Sequence, residues 1–135
     1  MTRADVQRWL DRYVAAWHAY DPTAIADLFT EDAEYRYHPY DDEPVRGRAA
    51  IVHDWLNPGG DAANRDRLGT VEATYTAFAA DGERAVAIGE TSYRSEPGGP
   101  VERHYFNAWL LEFDADGRCR SFVEYYMQRR RAAQP

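Results

Sequence analysis

Apolar residues recur in steps of three and four at Val6, Leu10, Tyr13, Val14 and Trp17, the spacing of an amphipathic helix. Trp9, Ala16 and Tyr20 widen that apolar face, and Thr2 with Asp5 resembles a capping box at its start. The helix is predicted to run to about Ala19. Asp21-Pro22 restarts the pattern with an N-cap and a proline at the first helical position, giving a short second helix that buries Ile25, Leu28 and Phe29. A third helix is predicted from Ala49-Ala50-Ile51-Val52 to a stop at Pro58, with Ile51 and Trp55 one turn apart on one face. From Leu68 onward the period falls to two. Strands are predicted over Val71 to Ala79, Arg84 to Ser95, Val101 to Phe113 and Arg118 to Gln128. The turns between them fall at Asp81-Gly82, at Glu96 to Pro100, and at Asp114, Asp116 and Gly117.

Between the second and third helices lies the stretch around which the chain is organised, Phe29 to Leu56. Asp32-Ala33 is predicted to start a strand that holds Tyr35, Tyr37 and His38. Pro39 lacks a backbone donor and biases His38 to an extended conformation, so the strand ends or bulges there. Asp41, Asp42 and Glu43 are expected in an exposed turn, with Pro44 stiffening its exit and Gly47 allowing a sharp bend. Asn57 to Arg67, with Pro58, Gly59 and Gly60, has no periodicity and is expected to be a mobile loop.

Helices segregated from an antiparallel meander predict an α+β architecture. Three N-terminal helices are expected on one face of a strongly curved, mainly antiparallel sheet of about five strands, with a pocket inside. A length of 135 residues suits one domain spanning residues 1–135. No apolar run approaches the ~20 residues that cross a bilayer. The start MTRADVQRWLDRY lacks the apolar middle of a secretory signal, so a cytoplasmic location without membrane association is expected.

Charge and residue usage narrow the chemistry. The net charge is −7, which argues against nucleic acid as the main partner. Every basic residue other than histidine is arginine, so lysine Schiff-base catalysis and a Walker-type phosphate loop are excluded. The basic run Arg129-Arg130-Arg131 is expected to be a solvated tail. Cys119 is the only cysteine; it excludes an internal disulfide and is expected to be a small buried hydrophobe. His18, His38, His53 and His104 show neither HxH nor HExxH spacing, so no metal is expected, and no cofactor.

The order of elements resembles the SnoaL-like branch of the NTF2-like superfamily. The resemblance is carried by Trp17, Asp21, Leu28-Phe29-Thr30-Glu31-Asp32-Ala33, Val45-Arg46-Gly47-Arg48, Ala50-Ile51, the Asp114 to Gly117 turn and the aromatic last strand. It implies a cone-shaped α+β fold, a pocket between helices and sheet, and frequent dimerisation through the sheet's outer face. The superfamily includes ketosteroid isomerases, polyketide cyclases, scytalone dehydratase and limonene epoxide hydrolases beside non-catalytic binding proteins, so it fixes fold more than activity. In the isomerases an aspartate directly precedes the proline that ends the first strand. Here His38 precedes Pro39, and because the segment looks one residue longer, Tyr37 competes for that place. The epoxide hydrolase relay finds no match. The strand histidines of the dehydratase find no match, while the resemblance sets Tyr35 and Asn107 against its tyrosine and asparagine.

His38, Tyr37 and Glu124 are the candidate catalytic residues. An imidazole takes a proton at neutral pH, a phenol can donate to a developing enolate, and a buried Glu124 would titrate high. Alternation adds a condition: if Tyr35 and Tyr37 face inward, His38 faces outward unless Pro39 marks a bulge. Tyr13, Trp17, Tyr35, Trp55, Asn107, Trp109 and Tyr126 are candidate ligand-binding residues, each equally at home in a core. The expected function is acid–base chemistry on a ketone or polyketide-like apolar substrate, as an isomerase, cyclase or dehydratase. The alternative is a non-catalytic ligand-binding or dimerisation module.

Overall fold

The computed structural model describes residues 1–56 and 66–130; most of the Asn57–Arg67 connection, the Pro58 helix stop and Arg131 lie outside the described residues. Helix α1 (Arg3–Ala19) opens on the capping box anticipated from Thr2 and Asp5, with both reciprocal hydrogen bonds present. It buries Val6, Trp9, Leu10, Tyr13 and Ala16. Tyr20 closes it in the left-handed conformation (φ 49°). Helix α2 (Pro22–Ala26) is capped by the Asp21 side chain, which accepts from the Thr23 N–H. It is shorter than expected: Leu28 and Phe29 are buried, but beyond its end.

Phe29 instead opens strand β1 (Phe29–Arg36), which therefore starts before Asp32 and ends before Tyr37 and His38. The backbone explains the early end. The His38 N–H donates to the Asp41 carboxylate and its carbonyl accepts from the Asp41 N–H, so both main-chain groups of His38 are satisfied in a turn rather than a ladder. The remaining elements are β2 (Val45–Arg46), α3 (Arg48–Leu56), β3 (Val71–Asp81), β4 (Arg84–Tyr93), β5 (Arg103–Phe113) and β6 (Cys119–Gln128).

The sheet has six strands in the order β2-β1-β6-β5-β4-β3, one more than expected because of the two-residue β2. The β3–β6 meander is antiparallel as read from the sequence, whereas β1 runs parallel to β6. Register breaks at Ala77/Ala79 and Glu112/Phe113 mark bulges, which bend strands and increase twist. The result is a curved, unclosed sheet around the helices: the α+β cone. The Gln7 side chain ties α1 to the edge strand β3, donating to the Tyr75 carbonyl at 3.0 Å and accepting from the Ala77 N–H at 2.9 Å.

Small residues on the inner face of β4 shape the interior. Ala85 and Ala87 are buried, and a Cβ at Gly89 would meet the Tyr75 ring at 2.4 Å. Its absence lets Tyr75 lie across β4 and stack on Trp109, centroids 3.8 Å apart. Cys119 is fully buried. No described helix is long and apolar enough to cross a membrane.

Candidate functional site

Alternation along β5 and β6 decides what faces the helices. Trp109, Leu111 and Phe113 are buried on one side of β5, so Tyr105 and Asn107 share their face. Trp109 is paired with Glu124 and Asn107 with Tyr126, which puts Glu124 and Tyr126 on the same face of β6. Toward Phe113 this concave face is packed solid. Toward the other end it lines a cavity of about 310 Å³.

Nine of the ten candidate residues line that cavity. Tyr13 and Trp17 come from α1, Tyr35 and Tyr37 from β1 and the residue after it, and Trp55 from α3. Asn107, Trp109, Glu124 and Tyr126 come from the sheet. His38 is not part of the wall; its ring sits behind Tyr126.

Glu124 is the ionisable group held most firmly. Its Oε2 accepts from the Trp109 indole N–H at 2.6 Å and from the Asn107 amide at 3.3 Å. Its Oε1 takes no hydrogen bond from the described residues. Burial raises its pKa above the ordinary carboxylate value, with the Trp109 and Asn107 donors and the nearby His38 pulling the other way. The Asn107 amide is oriented from behind: Tyr75 and Thr91 share a 3.0 Å hydroxyl contact, and the Thr91 hydroxyl donates to Asn107 Oδ1 at 3.0 Å. With the Thr91 proton spent on Asn107, the Tyr75 hydroxyl is the donor to Thr91. A directional chain thus runs Tyr75, Thr91, Asn107, Glu124, every donor aimed toward the carboxylate.

The deeper phenols serve another purpose. Tyr13 and Tyr35 are buried and share a hydrogen bond of 2.5 Å, and burial pushes both well above the usual phenol range. They hold their protons and orient one another. Tyr37 donates to the Asp54 carboxylate of α3, and burial together with that bond raises its pKa too. Tyr37 is thus a committed donor at the mouth.

The turn after β1 gives His38 its role. Asp41, expected in an exposed turn, is half-buried, and its carboxylate also meets His38 Nδ1 at 3.2 Å. His38 Nε2 lies 3.2 Å from the Tyr126 hydroxyl, and Tyr40 stacks on the imidazole. The parallel pairing of Arg36 with Val123 is what brings this turn beside the end of β6. Asp41, His38 and Tyr126 form a file whose last hydroxyl reaches the cavity wall.

Tyr20, Asp54, Tyr75, Thr91, Tyr93, Arg103 and Tyr105 also line the cavity. Alternation from Trp109 could have found Tyr105, and from Ala87 could have found Thr91 and Tyr93. Helical spacing already put Tyr20 on the face of Tyr13 and Trp17, whereas nothing local pointed to Asp54, which reaches the mouth through the packing of α3. Among the described residues no group of three His, Cys, Asp or Glu side chains is placed to hold a metal ion.

The sequence model of the SnoaL-like domain matches residues 10–122. No curated protein matches the chain. Among solved structures it is similar to an NTF-2 like protein of unknown function from Burkholderia xenovorans LB400, at 18% identity and a TM-score of 0.69. That match covers 98% of this chain and 91% of the other, and it supports the fold alone.

Proposed function

The chain belongs to the SnoaL-like family, a small-molecule-binding domain of the NTF2-like superfamily, and from that premise we propose that it is a cofactor-free enzyme that moves a proton beside a ketone carbonyl. The observation that carries the reading is the Glu124 carboxylate, held at one oxygen by Trp109 and Asn107 and with the other oxygen unclaimed on a cavity wall. A base so placed is restrained before the substrate arrives, which is where general-base catalysis gains over solvent.

In this reading a flat, apolar ketone lies among the aromatic rings. Glu124 takes a proton from the carbon next to the carbonyl, leaving an enolate. Tyr126 donates its single O–H to the enolate oxygen, while its own oxygen accepts from the His38 Nε2–H and the Asp41 carboxylate orients that ring from Nδ1. Glu124 and Tyr126 are two residues apart on one strand face, about 7 Å along the chain, so one ring of a substrate spans them. Returning the proton to a different carbon gives an isomerisation; protonating a departing hydroxide gives a dehydration. His38 acts through Tyr126 and is a positioning residue. Tyr37, held by Asp54, lines the entrance.

The test uses 2-tetralone in D₂O, followed by NMR. The protein should accelerate exchange of its α-protons, and Glu124→Gln should reduce that acceleration by about a hundredfold or more while 2-tetralone still binds. Unchanged exchange in Glu124→Gln would remove Glu124 as the base. Binding without any acceleration in the native chain would favour the non-catalytic reading.

A second proposal concerns assembly. Ile88, Phe106, Leu110, Tyr125 and Met127 are exposed on the outer face of β4, β5 and β6. A patch of that kind is unusual on a monomer, and it supports a homodimer through this face. Sedimentation of Phe106→Glu against the native chain checks it: the native chain should be dimeric and the variant monomeric.

A further inference from the structure

Among the described residues the cavity wall carries two carboxylates, Glu124 within and Asp54 at the mouth, and a single guanidinium, and each acid already has a donor. Asp54 accepts from the Tyr37 hydroxyl, and Glu124 accepts from the Trp109 and Asn107 N–H groups. Asp66, beside the mouth, accepts from the Trp17 indole at 2.9 Å. Arg103 is the opposite case. It lines the cavity at the start of β5, and its guanidinium lies 4.5 Å from the centroid of the Tyr93 ring. One arm donates to the Tyr105 hydroxyl at 3.2 Å. Arg8, Arg36, Arg46, Arg84, Arg94, Arg118 and Arg120 each reach a carboxylate within 4.0 Å. Arg103 has no such partner among the described residues; Arg3, Arg12, Arg48, Arg67, Arg129 and Arg130 have none either, but of these arginines only Arg103 lines the cavity.

Tyr93 and Tyr105 therefore hold a planar cation at the cavity wall, with the rest of its N–H fork uncommitted among the described residues. That fork matches a carboxylate in shape and charge. We propose that Arg103 is an anion-binding subsite and that the natural ligand is an organic acid: an apolar, ring-containing body ending in a carboxylate. This refinement rests on the reading of the cavity as a ligand site.

Spacing sets the size of the body. Arg103 stands six residues before Trp109, the partner of Glu124 across the sheet, so the two levels are roughly 20 Å apart at the usual strand rise. Arg103 leans toward Tyr105, so the gap a ligand must bridge is shorter than that span, and a body of two or three rings fits within it. The carboxylate docks at the rim, the rings lie along Tyr105 and Asn107, and the far end meets Glu124. A charged end held outside also leaves the Glu124 carboxylate facing the neutral part of the molecule.

The experiment is calorimetric titration with three probes of matched shape: 2-naphthoate, neutral 2-naphthamide and cationic 2-naphthylmethylamine. The native chain should bind 2-naphthoate about tenfold or more tightly than 2-naphthamide, with an affinity that falls as salt rises. Arg103→Met keeps the aliphatic stem and should erase that preference while 2-naphthamide binding persists. Equal affinity for acid and amide, tighter binding of the amine, or a preference that survives Arg103→Met would each overturn the proposal. Because nothing is turned over, the outcome is independent of deuterium exchange. A chain that prefers the acid but exchanges no protons would keep the subsite and lose the proposed catalysis.

Discussion

The two ends of the sheet's concave face are built by the same alternation and differ only in what the inward positions carry. At the narrow end Leu111, Phe113, Leu10, Trp9 and Phe29 are fully or almost fully buried; the Trp9 ring meets Phe113 at 5.3 Å and Phe29 at 6.2 Å, both edge to face. Hydrocarbon surfaces close on one another there and leave nothing for a ligand. At the wide end Tyr105, Asn107, Glu124 and Tyr126 take the equivalent positions. Their polar atoms need partners and cannot be sealed into a packed core without cost, so this end stays open as a hydrogen-bonded wall. The narrow end supplies stability and the wide end supplies chemistry.

Separate substitutions should pull these properties apart. Phe113→Ala should cost about 3–5 kcal/mol of unfolding free energy, read by urea denaturation, with the exchange rate per folded molecule unchanged. A comparable loss of exchange in the folded fraction would show that the two ends are not independent. Tyr35→Phe sits at the border. It strips a buried hydroxyl from Tyr13, so it should cost about 1–3 kcal/mol and leave the exchange rate nearly intact. His38→Gln should leave stability almost unaltered because the ring lies at the rim. It should slow exchange only severalfold, and in a Tyr126→Phe background it should add nothing to the larger loss that removing the phenol causes. Additive losses in the double variant would mean that His38 and Tyr126 act separately rather than as a file.

Glu124 also links the ends through pH. Its folded pKa is raised above the unfolded value, so its contribution to stability is greatest at acid pH and is lost as pH rises through the folded pKa. The native chain should lose ground against Glu124→Gln in thermal melts as pH rises from the ordinary carboxylate range through the raised folded pKa, while exchange by the native chain increases over the same window.

Much of this was legible from pattern alone. Thr2 and Asp5 announced the α1 cap, Asp21-Pro22 announced α2, and period-two alternation from Val71 onward gave the meander and the shared face of Asn107 and Trp109. These signals are local, and local sequence carries them. The ends of β1 were misplaced because the deciding contacts, between His38 and Asp41, are side chain to backbone and compete with the ladder. The parallel pairing of β1 with β6, which puts His38 behind Tyr126, joins segments far apart in the chain and has no periodic signature. The same holds for Asp54, whose helix position says nothing of the mouth, whereas Arg103 shares by alternation the face of Tyr105, Asn107 and Trp109.

The proposed chemistry depends on Glu124 being a half-buried carboxylate of raised pKa on the wall of a ligand cavity. Carbon-13 NMR of the Glu124 carboxyl, titrated with and without saturating 2-tetralone, is the measurement that decides it. A midpoint above the usual carboxylate value, moved by the ligand, is the expected result. An ordinary midpoint that the ligand leaves in place would contradict it.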